Sequence, residues 1–166
     1  MKTLPSGRVW STVVCSGCFI ALLILTPHQT LAETPKEKQY VLDWLSQPEQ
    51  TERFGGISDA IWSYAELGLQ EHKSSALLIE TLEEEGFAVD RGLAGMPTCF
   101  VASWGSGKPV VGILAEYDAL PMLSQKGRTP KQAPVVPGAP GHGCGHNLMG
   151  TAASAAAIAV KRSMQE

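Results

Sequence analysis

Val110-Val111-Gly112-Ile113-Leu114-Ala115 runs directly into Glu116-Tyr117-Asp118-Ala119-Leu120-Pro121. The first six residues are apolar throughout, the composition of a strand buried on both faces, as inside a parallel sheet. Two carboxylates just past the C-terminal end of such a strand stand where open α/β sheets place their ligand sites. A solvated acidic turn is the alternative reading of the same residues.

The neighbouring segments fit a sheet with helices on it. Phe87 to Asp90 and Cys99 to Trp104 have strand character, and Gly105-Ser106-Gly107-Lys108-Pro109 makes the turn into Val110. Ahead of them, Tyr40, Val41, Trp44 and Leu45 recur at helical spacing within residues 36–46, and Gly55-Gly56 breaks that pattern. Ser58 is placed to cap a second helix carrying Ile61, Trp62, Tyr64 and Ala65 and ending near Gly68. Ser74 or Ser75 opens a third, with Leu77, Leu78 and Leu82 on one face and Gly86 at its stop. Pro121 to Pro140 reads as an ordered surface loop, and an alanine-rich helix covers 151–160. Helices followed by buried strands predict an α/β layered domain with a mostly parallel sheet.

Composition narrows the class. The 166 residues allow one domain, and 44% hydrophobic against 17% charged residues excludes a disordered chain. A formal net charge of -3 gives no basic footprint for nucleic acid. Lys2 and Arg8, the apolar stretch Val13 to Leu25 and Thr30-Leu31-Ala32 form a basic, apolar and small-residue series, so residues 1–32 are expected to be a signal peptide. That stretch is shorter than the roughly 20 residues a membrane span needs. The expected mature chain, residues 33–166, is therefore secreted or periplasmic, without a stable membrane span. It keeps two cysteines, Cys99 and Cys144. Cys99 reads as a buried small hydrophobe and His72 as a first-turn surface residue.

The second cluster with chemistry in it is Gly141-His142-Gly143-Cys144-Gly145-His146-Asn147. Thiolate and imidazole are good ligands for zinc and neighbouring divalent metals, and the interleaved glycines let the backbone turn both side chains toward one point. A closed structural zinc site would call for four such ligands. One thiolate, two imidazoles and nearby carboxylates suit an open catalytic site better. A glycine-rich helix start with incidental His and Cys, or a nucleophilic Cys144 activated by a histidine, are the other readings of the pattern.

The run from Ala115 to Pro121, through Leu123-Ser124-Gln125, to Pro137 and on to Leu148 resembles the M20 metallopeptidase family, and within it the aminobenzoyl-glutamate hydrolase branch. Tyr64-Ala65-Glu66-Leu67-Gly68 followed by Glu71 is similar to the family's early helix motif. The resemblance covers about residues 36–166 and implies a zinc-peptidase-like catalytic domain. It implies Cys144 and His146 as ligands to Zn2+ or Mn2+, and Asp118 as the acid beside the metal that supports a ligand. Glu116 and His142 would stand behind the ligands. Asn147 departs from the aspartate common in the wider family, although it suits this branch.

The implied substrate is a small amide, an N-acyl amino acid or an aminobenzoyl-glutamate-like compound, and homo- or hetero-oligomers are implied by the family. The family's Glu-Glu pair, its later His ligands and its lid or dimerisation domain have no counterpart in these residues. The chain is therefore expected to be the N-terminal part of a longer enzyme, inactive as it stands. A secreted metal-binding or interaction module derived from a hydrolase scaffold is the alternative.

Overall fold

The computed structural model describes residues 34–166, so the signal peptide expected over residues 1–32 lies outside the described residues. The order of elements is α1 (Lys36–Leu45), α2 (Pro48–Tyr64), α3 (His72–Glu84), β1 (Ala88–Arg91), β2 (Phe100–Ser103) and α4 (His146–Ser163). This is a mixed helix and sheet architecture in which α4 packs against α1, α2 and α3.

Helix α2 runs straight through Gly55-Gly56, where the sequence pattern predicts a break. Its buried residues Gln50, Phe54, Ser58 and Ile61 follow helical spacing, while both glycines face open space. Each glycine costs about 1 kcal/mol relative to alanine, and burying Phe54 and Ile61 returns roughly 1.5–3 kcal/mol apiece. Ser58 is accordingly not a cap but an interior residue. The helix ends at Ala65, which adopts φ +46°.

Helix α3 is opened by a carboxylate rather than a hydroxyl. Glu66 reaches over to accept from the Lys73 and Ser74 backbone N–H groups, at 3.0 and 2.9 Å, and from the Ser74 hydroxyl at 2.8 Å. That satisfies donors a helix N-terminus would otherwise leave free. The apolar core joins Trp44, Phe54 and Leu82 to Ala155, Ile158 and Ala159, with the Trp44 and Phe54 rings edge to face at 6.1 Å. At its rim Glu85 accepts from Arg53 of α2 at 2.6 Å and from Arg162 of α4 at 2.8 Å, clamping three helices together.

Strands β1 and β2 form an antiparallel pair, Ala88 opposite Ser103 and Arg91 opposite Phe100. The third strand expected at Val110 to Ala115 does not form. Val110, Val111 and Leu114 are 85, 82 and 97% exposed, and among the described residues no backbone group of this segment has a backbone partner. An extended segment becomes a strand only when a neighbour takes its N–H and C=O groups, and β2 pairs with β1 alone. The sheet of the described residues is thus two-stranded and antiparallel, where the sequence pattern predicts a mostly parallel one.

The long loop is ordered, as expected. The Gln125 side chain holds it from inside, accepting from the Ala133 N–H at 2.9 Å and donating to the Lys131 carbonyl at 2.8 Å. Leu120 and Gly141 close its neck with a reciprocal pair of backbone bonds, each 3.0 Å. A Cβ on Gly141 would run into the Leu123 carbonyl, so only glycine fits there. Closing this neck brings the start of α4 against residues 116–118.

Candidate metal centre

Alternation along an extended backbone sends Glu116 and Asp118 to one side and Tyr117 to the other. Tyr117 is firmly held: its hydroxyl donates to the Thr98 carbonyl and its ring stacks on Phe100 at 5.9 Å. Burial pushes its phenol well above the ordinary 10.0, and the nearby Glu71 and Cys99 add to the shift. One residue further, the Ala119 N–H donates to the Glu66 carbonyl at 2.7 Å, tying the segment to the turn after α2. The carboxylates are thereby aimed at the first residue of α4.

That residue is His146, which is buried. Gly145 precedes it at φ +78°, a left-handed turn that suits glycine, and swings the chain into the helix. His146 Nδ1 lies 2.9 Å from Asp118 Oδ1 and 3.1 Å from the Asp118 carbonyl oxygen. Both partners are acceptors, so Nδ1 carries a proton, and in the neutral ring the Nε2 lone pair is free. Nε2 faces Glu116, whose Oε2 is 3.8 Å away. One ligand atom from each of Glu116, Asp118 and His146 falls within 4.8 Å of the others.

An imidazole nitrogen turned outward by a carboxylate behind it, with a second carboxylate beside its free face, is a donor set that fits zinc or manganese. His146 Nε2 and Glu116 would hold the ion, and Asp118 would fix the tautomer. A cavity of about 180 Å3 adjoins the group, lined by Glu71, Thr98, Glu116 and Asp118 among others.

The sequence-derived residues are distributed unevenly around this point. His146 and Asp118 lie within hydrogen-bond distance of each other, and Glu116 lies beside His146 Nε2. Cys144 is exposed and stands outside the three-residue group. His142 turns away: its Nε2–H donates to the Ile61 carbonyl at 3.0 Å, and its buried Nδ1 has no protein partner. Burial lowers its pKa below the usual imidazole value, although the bond to Ile61 opposes the shift. Asn147 is buried and donates from Nδ2 to the Ser58 hydroxyl at 3.0 Å and the Ser58 carbonyl at 3.3 Å. Glu71, which stands out in the sequence only as part of a motif, proves to be a buried carboxylate of the cavity, accepting from the Thr98 hydroxyl at 2.6 Å.

Comparison with known proteins gives a consistent set. No family model matches the chain. It is 48% identical over 115 residues to one subunit of the p-aminobenzoyl-glutamate hydrolase of Escherichia coli K12, covering 69% of this chain and 24% of that protein. It is 33% identical over 127 residues to the Xaa-Arg dipeptidase of Mus musculus, covering 70% of this chain and 26% of the relative. A thermostable carboxypeptidase of Saccharolobus solfataricus is 35% identical over 82 residues, 48% of this chain and 18% of that enzyme. The chain spans about a quarter or less of the length of these curated relatives.

Proposed function

Since the chain belongs to the M20 metallopeptidase family, we propose that it is the metal-anchoring N-terminal part of a metal-dependent amidohydrolase that cleaves a small amide, an N-acyl amino acid or an aminobenzoyl-glutamate-like compound. The relatives' names, a hydrolase of p-aminobenzoyl-glutamate and peptidases, support amide hydrolysis as the reaction. That one of them is a subunit supports assembly with a second chain. The basic and apolar start of the sequence supports export to the periplasm or beyond.

A divalent ion bound here, Zn2+ or Mn2+, supplies Lewis acidity toward a carbonyl and toward water. The protein's own part is orientation. Asp118 holds the His146 ring with Nε2 outward, and Glu116 would add negative charge beside a cation bound there. Cys144, exposed on the glycine-rich turn two residues before His146, would be a further ligand to such an ion. A hydrolytic centre also needs a base within reach of the attacking water.

The observation that carries this reading is the 2.9 Å contact from His146 Nδ1 to Asp118 Oδ1, which leaves Nε2 free beside Glu116. Titration of the purified chain with Zn2+ and Mn2+, followed by calorimetry and by bound-metal analysis, tests it. His146→Ala abolishes binding, and Asp118→Asn weakens it by about 10–100-fold, the usual cost of losing a group that orients a ligand. Undiminished binding by His146→Ala refutes the assignment.

A further inference from the structure

We propose that Tyr117 is the positioning residue of the metal centre: held between Gly150 of α4 and the Thr98–Glu71 pair, it sets how far Glu116 and Asp118 stand from His146. This rests on the reading of those three side chains as the site of the ion.

Tyr117 lies between the two carboxylates in sequence and turns to the other side, so it offers the ion nothing itself. What it has instead is a grip on several separate parts of the fold. Its hydroxyl donates to the Thr98 carbonyl, and its ring stacks on Phe100 of β2 at 5.9 Å. Thr98 is buried, and its own hydroxyl donates to the buried Glu71 carboxylate at 2.6 Å. Glu71 is the residue from which α3 starts. A buried hydroxyl and a buried carboxylate that satisfy one another give Thr98 a fixed place, and Tyr117 takes its position from the Thr98 carbonyl.

The contact with α4 depends on a missing side chain. Gly150 is buried in a helix otherwise rich in alanine. Glycine in a helix interior is unfavourable beside alanine, so its presence there calls for a reason of packing. A Cβ at Gly150 would come within 3.0 Å of the Tyr117 Cβ, 3.2 Å of Leu78 Cδ1 and 3.3 Å of the Glu116 carbonyl oxygen. Leu78 offers the end of a side chain, but the Tyr117 Cβ and the Glu116 carbonyl move only with the backbone of their segment. Gly55 and Gly56 of α2, by contrast, have nothing within 4 Å.

Gly150 also stands one turn beyond His146, on the same face of α4. The spacing between helix and segment at Gly150 is therefore passed on to the His146 ring and the Asp118 carboxylate, which lie 2.9 Å apart. A displacement of a few tenths of an ångström takes such a bond to the long end of its range.

Proton NMR of the metal-free chain tests the inference without reference to the ion. The readout is exchange of the His146 Nδ1 proton with water, which the bond to Asp118 slows. Gly150→Ala, Tyr117→Phe and Thr98→Val each speed that exchange by about 10-fold or more, as expected for weakening one hydrogen bond to a charged group. Each also weakens Zn2+ binding in calorimetry by about 10-fold, the low end of the range for disturbing a group that orients a ligand. Thr98→Ser keeps the hydroxyl and restores both readouts to wild type. Gly55→Ala, which meets open space, changes neither. A purely structural role would lower the melting temperature of Thr98→Val and leave the Nδ1 proton as it is.

Unchanged exchange of the Nδ1 proton in both Gly150→Ala and Thr98→Val overturns the inference. So does rapid exchange in the wild-type chain, because there would then be no bond to position. Should those two variants not fold, Tyr117→Phe, which keeps the ring and removes one hydroxyl, decides alone, and unchanged exchange in it is equally fatal. Failure of the wild type to bind Zn2+ while the proton responds as expected removes the metal reading and leaves Tyr117 as the residue that sets the pair.

Discussion

Ile158 and Leu114 are side chains of equal size and similar apolarity, yet one is 0% and the other 97% exposed. Ile158 sits in a helix, whose backbone bonds are made within the element itself, so only its side chains need neighbours. Helices α1, α2 and α3 supply those. Leu114 sits in an extended segment that needs neighbours for its backbone as well as for its side chains, and the described residues supply neither. Apolarity sets the demand for burial. Whether it is met depends on which partners the same stretch of chain can bring.

The largest expected effect tests that comparison directly. Ile158→Ala in this chain should cost about 2–5 kcal/mol, the range for emptying a packed core site. Leu114→Ala should stay within about 0.5 kcal/mol, as at ordinary surface positions. Denaturant midpoints at unchanged slope measure both. A cost above about 1 kcal/mol for Leu114→Ala would mean the segment is buried in solution, and the contrast between the two regions would fail.

A smaller effect concerns polar groups in the helical half. Asn147 donates to two acceptors of Ser58 from a buried position. Asn147→Asp at neutral pH replaces those donors with a carboxylate facing oxygen. The expected loss is about 1–3 kcal/mol, the cost of a buried polar group left unsatisfied. It should shrink on acidification, because a protonated carboxyl can donate again. A pH-independent loss would point to packing rather than to the missing donor.

The residues explain why some of this is legible in the sequence and some is not. Helices α1 and α3 follow from 3.6-residue periodicity and α4 from its alanine content, both of which are local. The continuity of α2 does not, because whether Gly55 and Gly56 break a helix depends on what Phe54 and Ile61 gain by packing elsewhere. The end of the apolar run reads as a ligand site in the sequence, and the structure puts Asp118 within 2.9 Å of His146 there. The spacing of Cys144 and His146 says nothing of the direction of each side chain on a glycine-rich turn, and in this structure His146 faces the acids while Cys144 is exposed. Glu66 and Glu71 acquire their roles through partners seven to twenty-seven residues away, Lys73 and Thr98, and no local pattern announces such bonds. The third strand is not legible because strand propensity is a property of the segment, whereas a strand is a property of a pair.

The smallest expected effect lies at the rim of the helical core. Burial alone would raise the Glu85 pKa, but Arg53 and Arg162 outweigh it and hold the carboxyl below its ordinary 4.5. A carboxyl with a lowered folded value stabilises the fold above the unfolded value, and the contribution is lost as pH falls through the folded one. Glu85→Gln should therefore cost about 1 kcal/mol at pH 7, between the worth of an exposed ion pair and that of a fully buried one. The two proteins should converge in stability as the pH falls below the ordinary carboxyl value and on through the lowered folded one, where wild-type Glu85 is protonated too. A constant gap over that whole range would show that Arg53 and Arg162 recognise the shape of the side chain and not its charge. The helical half would then owe its completeness to packing alone.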